Sequence, residues 1–476
     1  MMRSLFMQGP SFDGYDGGAG ARYQMKREVK SFWYPTWLAQ PAAMVEGSRL
    51  IDAPAHDQSW DDIKHEVDDK ELIVLHTSTP SFRQDIKTAE LCRARNPKAL
   101  IGMVGAKVAV EPDKAFEATS AVDFVCAADY DFTIVDIANG MPLAEVQGIT
   151  WRNENGEVVH NPDRPILMDM DSLPMVSPVY KRDLDPMKYF GGYLLHPYVS
   201  FYTGRGCKSR CTFCLWPQTI SGHNYRFRSI PKVIEEVQYI MREFPDTKEI
   251  FFDDDTLTDN AERVEALAAE LGKLGVTWSC NAKANVPRKT LEAMKKGGCR
   301  LLLVGYESGN QKILHNIKKG LRVDVAKQFT KDCHELGIVI HGTFILGLPG
   351  ETLETIEETI NYAKEIDPHT IQVSLAAPYP GTFLYKQAVE NGWFDGTDHL
   401  LSDGGDQIAQ LSYPHLPAAV IFDKVEEFYK RFYFRPSKIW SIVSEMLRDW
   451  EMMKRRLREG VEFFSFLRRR KAVAAA

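Results

Sequence analysis

At 476 residues, 44% hydrophobic and 26% charged, the chain has ordinary globular composition and the length of two or three domains. A formal charge of -7 with an isoelectric point near 6.0 argues against a general nucleic-acid binder, and eight cysteines in so long a chain make no disulfide scaffold, so a reducing cytosol is the expected compartment. No run of ~18 apolar residues marks a membrane-spanning helix, residues 1–12 lack the apolar run of a signal peptide, and no solenoid-length repeat recurs.

Taken in order, residues 4–7 read as a strand, 13–20 as a glycine-rich loop too irregular for a dinucleotide fingerprint, and Tyr34-Pro35-Thr36 as the opening of a helix. Strands follow at 49–52, 71–76, 100–105 and 122–126, with helical stretches at 83–96 and 112–120. Apolar strands alternating with helices predict an α/β, doubly wound, Rossmann-like parallel sheet. Such sheets bind ligands at the carboxyl ends of their strands. Here those ends are His76-Thr77-Ser78, Gly105-Ala106-Lys107 and Ala128-Asp129-Tyr130. Small and hydroxylated residues there suit a large flat or phosphate-bearing ligand, the other reading being a sheet of this type that binds nothing. His76 alone makes no metal site. A hairpin turning at Asn155-Gly156 is expected over 149–159, and the proline-rich stretch 165–197 reads as a linker.

A strand over 199–203 then delivers Cys207-x3-Cys211-x2-Cys214. Three thiols on one short loop are informative, because a closed zinc site or an ordinary iron–sulfur cluster takes four protein ligands. Three thiolates on a four-iron cluster leave one iron open, whereas a zinc loop would need a distant Cys or His to complete it. Strands at 249–252, 277–281, 300–307, 338–345 and 371–375 alternate with helices at 231–243, 260–274, 289–296, 323–336 and 354–366. Six β/α units fall short of the eight of a closed barrel, so a partial TIM-like barrel is expected, with a functional rim at its strand ends. That rim carries the cysteine loop, Asp253 to Asp255, Lys283, Glu307-Ser308 and 347–352.

These residues carry a resemblance. The cysteine loop, with Phe213 before the last Cys, resembles the signature of radical S-adenosylmethionine (SAM) enzymes. That family binds a [4Fe–4S] cluster through the three cysteines, chelates SAM on the open iron, and cleaves it to a 5′-deoxyadenosyl radical. Further motifs look like the family's SAM-binding strand ends: Phe252-x-Asp254-Asp255, Lys283, Gly305-Tyr306-Glu307-Ser308-Gly309, Gly347-x-Pro349-Gly350-Glu351 and Tyr379-Pro380-Gly381-Thr382. The resemblance implies Cys207, Cys211 and Cys214 as metal ligands, and Phe213, Asp254, Asp255, Lys283, Glu307, Ser308 and Gly347 as SAM contacts. It assigns no catalytic residue. The order of domains is similar to the cobalamin-binding subclass, with related residues at Ala42, Pro112 and 171–174. The usual D-x-H-x-x-G is missing, so cobalamin without a protein His ligand is implied, against His76, Thr77, Ser78, Gly105, Ala106 and Asp129. More narrowly, residues 11–23 and 31–37 resemble the HpnJ family of hopanoid biosynthesis-associated radical SAM proteins. That implies a hopanoid lipid substrate, contraction of an amino sugar on a bacteriohopanepolyol side chain into a cyclitol ether, and an electron donor such as flavodoxin or ferredoxin. The rival readings are a cobalamin-dependent radical methyltransferase and a non-catalytic cobalamin- or lipid-binding protein.

The expected domains are 1–145, a hairpin and linker at 146–197, the barrel at 198–410, and a helical region at 411–476. In the last, helices are expected over 418–434 and from 436, where Trp440, Val443, Leu447, Trp450, Met453 and Leu457 recur at helical spacing before Phe463 to Leu467 and the basic run Arg468 to Lys471. Such a helix either lies on anionic lipid or packs on the barrel with a solvated basic end. Cys92, Cys126, Cys280, Cys299 and Cys333 are expected as small buried apolar residues.

Overall fold

A computed structural model describes residues 1–12, 31–394, 409–448, 453–454, 457 and 460–461. The expected loop at 13–20, most of the 11–23 motif and the run from Phe463 to Lys471 lie outside the described residues. Among the described residues two large sheets dominate. The first has the order β2-β1-β3-β4-β5-β6-β7, built from β1 (Ser4–Gln8), β2 (Arg49–Asp52), β3 (Leu72–His76), β4 (Leu100–Val104), β5 (Phe124–Cys126), β6 (Ile149–Arg152) and β7 (Val158–His160). The first five are parallel, and β6 and β7 add antiparallel.

The strands are apolar throughout because both faces are covered, and their period of two divides them between two cores. Leu5, Met7, Ile73 and Leu75 enter a core confined to this sheet. Phe6, Leu72, Val74 and Phe124 enter another that runs on into Tyr198, Phe201 and Phe252 of the second sheet. The two halves of the chain thus share one continuous apolar interior.

The second sheet is all parallel, in the order β15-β14-β13-β12-β11-β8. It comprises β8 (Tyr198–Phe201), β11 (Glu249–Phe252), β12 (Trp278–Ala282), β13 (Cys299–Glu307), β14 (Val339–Leu346) and β15 (Thr370–Leu375); between β8 and β11 a small ribbon pairs β9 (Gly204–Arg205) with β10 (Arg226–Phe227). This is the expected open six-unit barrel. Helix Ala418–Tyr433 closes its last edge, where the N–H groups of Ile371 and Val373 donate to the hydroxyls of Tyr433 and Tyr429, each at 2.9 Å. A sheet edge otherwise left unpaired is thereby covered.

Two expectations need correcting. The hairpin at 149–159 does not head a linker; it extends the first sheet as β6 and β7. Nor is 165–197 a linker. It holds helix Ser177–Asp183 and two short 3-10 turns, and it buries Tyr180 and Tyr189 completely. Two of its prolines mark helix starts: Pro178 and Pro186 both occupy first-turn positions, where a missing N–H costs nothing. Tyr34 stacks on Tyr189 at 4.1 Å between ring centroids, meets Tyr198 edge-on, and donates to the Tyr198 carbonyl at 2.8 Å. Burial pushes its phenol well above the ordinary range, so this hydroxyl stays a donor.

Tyr34 joins three segments, so its truncation tests the shared interior. Tyr34→Ala is expected to cost roughly 3–5 kcal/mol, and Tyr34→Phe about 1 kcal/mol, read as shifts in the urea unfolding midpoint.

Candidate active site

The cysteine loop is built from its neck inward. Ribbon β9/β10 sets Arg205 opposite Arg226 and closes the loop between them. Two glycines make so narrow a neck passable. A Cβ on Gly204 would lie 2.5 Å from the Arg226 carbonyl, and one on Gly206, at φ +91°, would lie 2.3 Å from that of Asn224. Inside, Gln218 Nε2 donates to the carbonyls of Cys211, Thr212 and Cys214 (3.2, 3.2 and 2.7 Å), and His223 Nδ1 to that of Ser209 (2.9 Å). From outside, Asp255 accepts from Gly206 N (2.9 Å) and Ser221 Oγ (2.7 Å), and Thr212 N donates to the Ile317 carbonyl (2.9 Å).

The neck is fastened to the first sheet by charge. Asp131 binds the Arg205 guanidinium through both oxygens, at 2.5 and 3.2 Å. Asp129 bridges Arg205 (3.4 Å) and Arg226 and also accepts from Leu167 N (3.3 Å). All four side chains are buried or nearly so, the most exposed being Arg205 at 14%. Burial alone would lower the Arg205 pKa, but the charge and hydrogen bonds of Asp131, aided by Asp129, hold it above the ordinary value. Removing one partner of such a set leaves a buried charge unpaired, at a cost of roughly 3–5 kcal/mol.

Between this loop and the strand ends of the first sheet lies a cavity of about 330 Å³, within the range of sites that hold small ligands. Cys207, Cys211, Cys214, Phe213, Asp255, Lys283 and Glu307 line it on the barrel side, and His76, Gly105 and Asp129 on the other. The remaining expected residues lie off the wall. Asp254 turns inward and accepts from Thr203 N (2.6 Å), Thr203 Oγ1 (2.6 Å) and Tyr225 OH (2.7 Å). Ser308 bonds Thr359 at 3.1 Å, and Gly347 donates to Glu351 at 2.6 Å. Thr77, Ser78 and Ala106 stand beside the cavity without lining it. Asp129 does line it, but its carboxylate is taken up by the two arginines.

Residue pattern did not single out Trp37, Trp216, Arg205 or Lys319, all on the wall. Trp37 lies tilted against His76 at 5.0 Å and stacks on Trp216 at 6.3 Å between ring centroids, gathering three rings on this wall. Lys319 follows helix Gln311–Asn316, a unit too short to leave a periodic signal, and pairs with Glu307 at 2.6 Å. Burial opposes its charge, but Glu307 and then Cys211 raise its pKa above the ordinary value, so the ammonium persists. Lys283 is likewise paired, with Asp259.

The cysteine wall fits an iron–sulfur cluster. Its three thiols share one cavity, and burial raises those of Cys211 and Cys214, so that deprotonation follows metal loading rather than preceding it. On the opposite wall Gly105, at φ +124°, packs so closely on the next strand end that a Cβ would come within 2.0 Å of the Thr77 carbonyl, so this wall stays low and without a side chain at that point. His76 Nδ1 is engaged with Gln8 at 3.1 Å.

A family model described as the radical SAM superfamily matches residues 201–363. An uncharacterized methyltransferase of Pyrococcus horikoshii is 30% identical over 425 residues, covering 87% of this chain and 90% of its own. Among solved structures, the radical SAM methyltransferase TsrM of Kitasatospora setae, with cobalamin and a [4Fe–4S] cluster bound, aligns over 92% of this chain and 90% of its own at TM-score 0.66 and 14% identity. The cobalamin-dependent SAM radical enzyme OxsB, with aqua-cobalamin and SAM bound, aligns over 90% and 61% at TM-score 0.59 and 15% identity. At these identities the structural likeness is one of fold.

Gly206→Ala forces a side chain into the neck. We expect Cys207, Cys211 and Cys214 to react at least several-fold faster with a thiol reagent in the metal-free variant, with a loss of roughly 1–3 kcal/mol of stability.

Proposed function

The chain belongs to the radical SAM superfamily, and from that premise we propose that it is a cobalamin-assisted radical SAM enzyme of hopanoid metabolism. Its reaction on this reading is contraction of an amino sugar, linked to a bacteriohopanepolyol side chain, into a cyclitol ether. The observation that carries the cofactor pairing is the two-sided cavity, with three thiols on one wall and an aromatic, glycine-floored face on the other. With cluster and SAM bound, the chemistry supplied is reductive cleavage of the sulfonium to a 5′-deoxyadenosyl radical that takes a hydrogen atom from substrate.

The chain's own residues hold and orient. Cys207, Cys211 and Cys214 are the cluster ligands. Lys283 and Lys319 offer cations to the SAM carboxylate, and Glu307 an acceptor to its hydroxyl or ammonium groups. Asp255 keeps the loop's entry fixed while Asn281, donating to the Asp254 carbonyl at 2.9 Å, fixes the strand end beside it. Trp37, Trp216 and the low wall at Gly105 would hold the corrin. With the usual D-x-H-x-x-G missing, cobalamin is proposed without a protein His ligand.

The hopanoid assignment is supported by the motif at 31–37, which contributes Tyr34 to the shared interior and Trp37 to the cavity wall. A lipid substrate also suits the last helix, Pro436–Arg448. Arg435 and Lys438 tie its start to Asp367, at 2.5 and 3.0 Å, and beyond them Trp440 (71% exposed) and Leu447 (74%) face outward. From Arg435 to Lys471 the chain carries eleven Lys and Arg against five Asp and Glu. Apolar exposure within a basic segment favours contact with an anionic lipid surface. Among the described residues no helix is long and apolar enough to cross a membrane. Flavodoxin or ferredoxin remains the proposed reductant.

The Pyrococcus relative and the Kitasatospora enzyme, both known as methyltransferases, favour a second reading, methyl transfer. Product mass separates the two: ring contraction leaves hopanoid mass unchanged, and methylation adds one CH2. Cys207→Ala is expected to show neither the broad [4Fe–4S] absorbance after anaerobic reconstitution nor SAM cleavage; persistence of cleavage would contradict the cluster assignment. For the last helix, co-sedimentation with phosphatidylglycerol vesicles should exceed that with phosphatidylcholine vesicles and fall several-fold in Trp440→Ser.

A further inference from the structure

The cysteine loop and the proposed corrin face meet through one element, the buried set Asp129, Asp131, Arg205 and Arg226. Both aspartates lie on the β5 connection to helix Asp131–Ala138, at the carboxyl end of a strand of the first sheet. Both arginines are directly opposed residues of the ribbon that pinches the loop's neck. Asp129 and Arg205 also line the cavity itself. The connection starts from a constrained backbone: Ala128, on the cavity wall, takes φ +42°, a left-handed conformation that a residue with a Cβ adopts only when its surroundings impose it. A ligand settling on this wall touches the same short segment that grips the loop.

We infer that these four residues form a latch: Asp129 and Asp131 are positioning residues for the cluster loop, and occupation of the corrin face is transmitted through them to the cluster. The coupling half of this inference rests on the cobalamin reading; the positioning half does not. The set is balanced, two cations against two anions: Arg205 pairs closely with Asp131 and more loosely, at 3.4 Å, with Asp129, which also binds Arg226. Arg226 also donates through its two terminal nitrogens to the carbonyls of Leu167 (2.5 Å) and Ser221 (2.7 Å), so it ties the 165–197 segment to the same neck. Coupling through such an element is reciprocal, so the cluster must favour the corrin by the factor by which the corrin favours the cluster.

The test is the rate at which a ferrous chelator strips iron from the anaerobically reconstituted full chain, with and without hydroxocobalamin. The variants are Asp131→Asn, the milder Arg205→Lys, and the exchanged pair Asp131→Arg with Arg205→Asp, each checked for native far-UV dichroism. Without hydroxocobalamin, Asp131→Asn should release iron about tenfold faster than the native chain, within the range of ordinary coupling energies. Arg205→Lys should fall between them, and the exchanged pair should return toward native. Rates within twofold of native in both single variants would overturn the positioning role. With hydroxocobalamin, the native chain should be protected and Asp131→Asn should not. Equal protection in both, or binding to the native chain without protection, would overturn the transmission. If the native chain binds no hydroxocobalamin, the cobalamin reading fails and takes the transmission with it, while accelerated release in the variants still supports the latch as the positioning element.

Discussion

The constraint on which the site depends is the closed neck of the cysteine loop. A loop carrying C-x3-C-x2-C between two strands has little regular structure to hold it; apart from helix Leu215–Thr219 it is turns and single hydrogen bonds. Its closure is held by the two-stranded ribbon and by the buried pairing of Arg205 and Arg226 with Asp131 and Asp129. The arginines lie deep enough that leaving either charge without its aspartate would be costly. The same pairing joins the strand end after β5 to the ribbon at one side of the cavity. Fold and site therefore share one fastening.

The cavity is rich in charge, yet its cations are paired in advance. Lys319 pairs with Glu307 and Lys283 with Asp259, so each lysine on the wall already has an opposite charge beside it. A ligand bringing both a carboxylate and an ammonium can join such pairs without leaving any charge unmatched. Across the cavity the surface changes to aromatic rings and a bare glycine. That contrast suits one zwitterionic and one broad, flat partner held face to face.

Much of this was legible in the residues. The alternation of apolar strands with helices specified both parallel sheets, and the three cysteines with their flanking strand-end motifs specified the barrel side of the site. What could not be read was the pairing of distant segments: Asp131 meets Arg205 across 74 positions, and Arg226 meets Asp129 across 97. Neither has a local pattern. Pro178 and Pro186 read as breaks because their role at helix starts shows only once the helices are placed. Asp254 was misplaced for a simpler reason. An extended chain alternates its sides, so Asp253 and Asp255 face the cavity and Asp254 between them faces inward. That parity was available in the sequence.

The central claim is that one cavity is shared by a cluster wall and a corrin wall. The most direct measurement is an anaerobic absorbance titration of the cluster-loaded protein with hydroxocobalamin. The account predicts saturable binding of one equivalent per chain, with a spectrum lacking a histidine-ligated cobalt and with binding weakened when Trp37, on the proposed corrin wall, is replaced by Ala. Absence of saturable binding to a chain whose cluster is intact would contradict it.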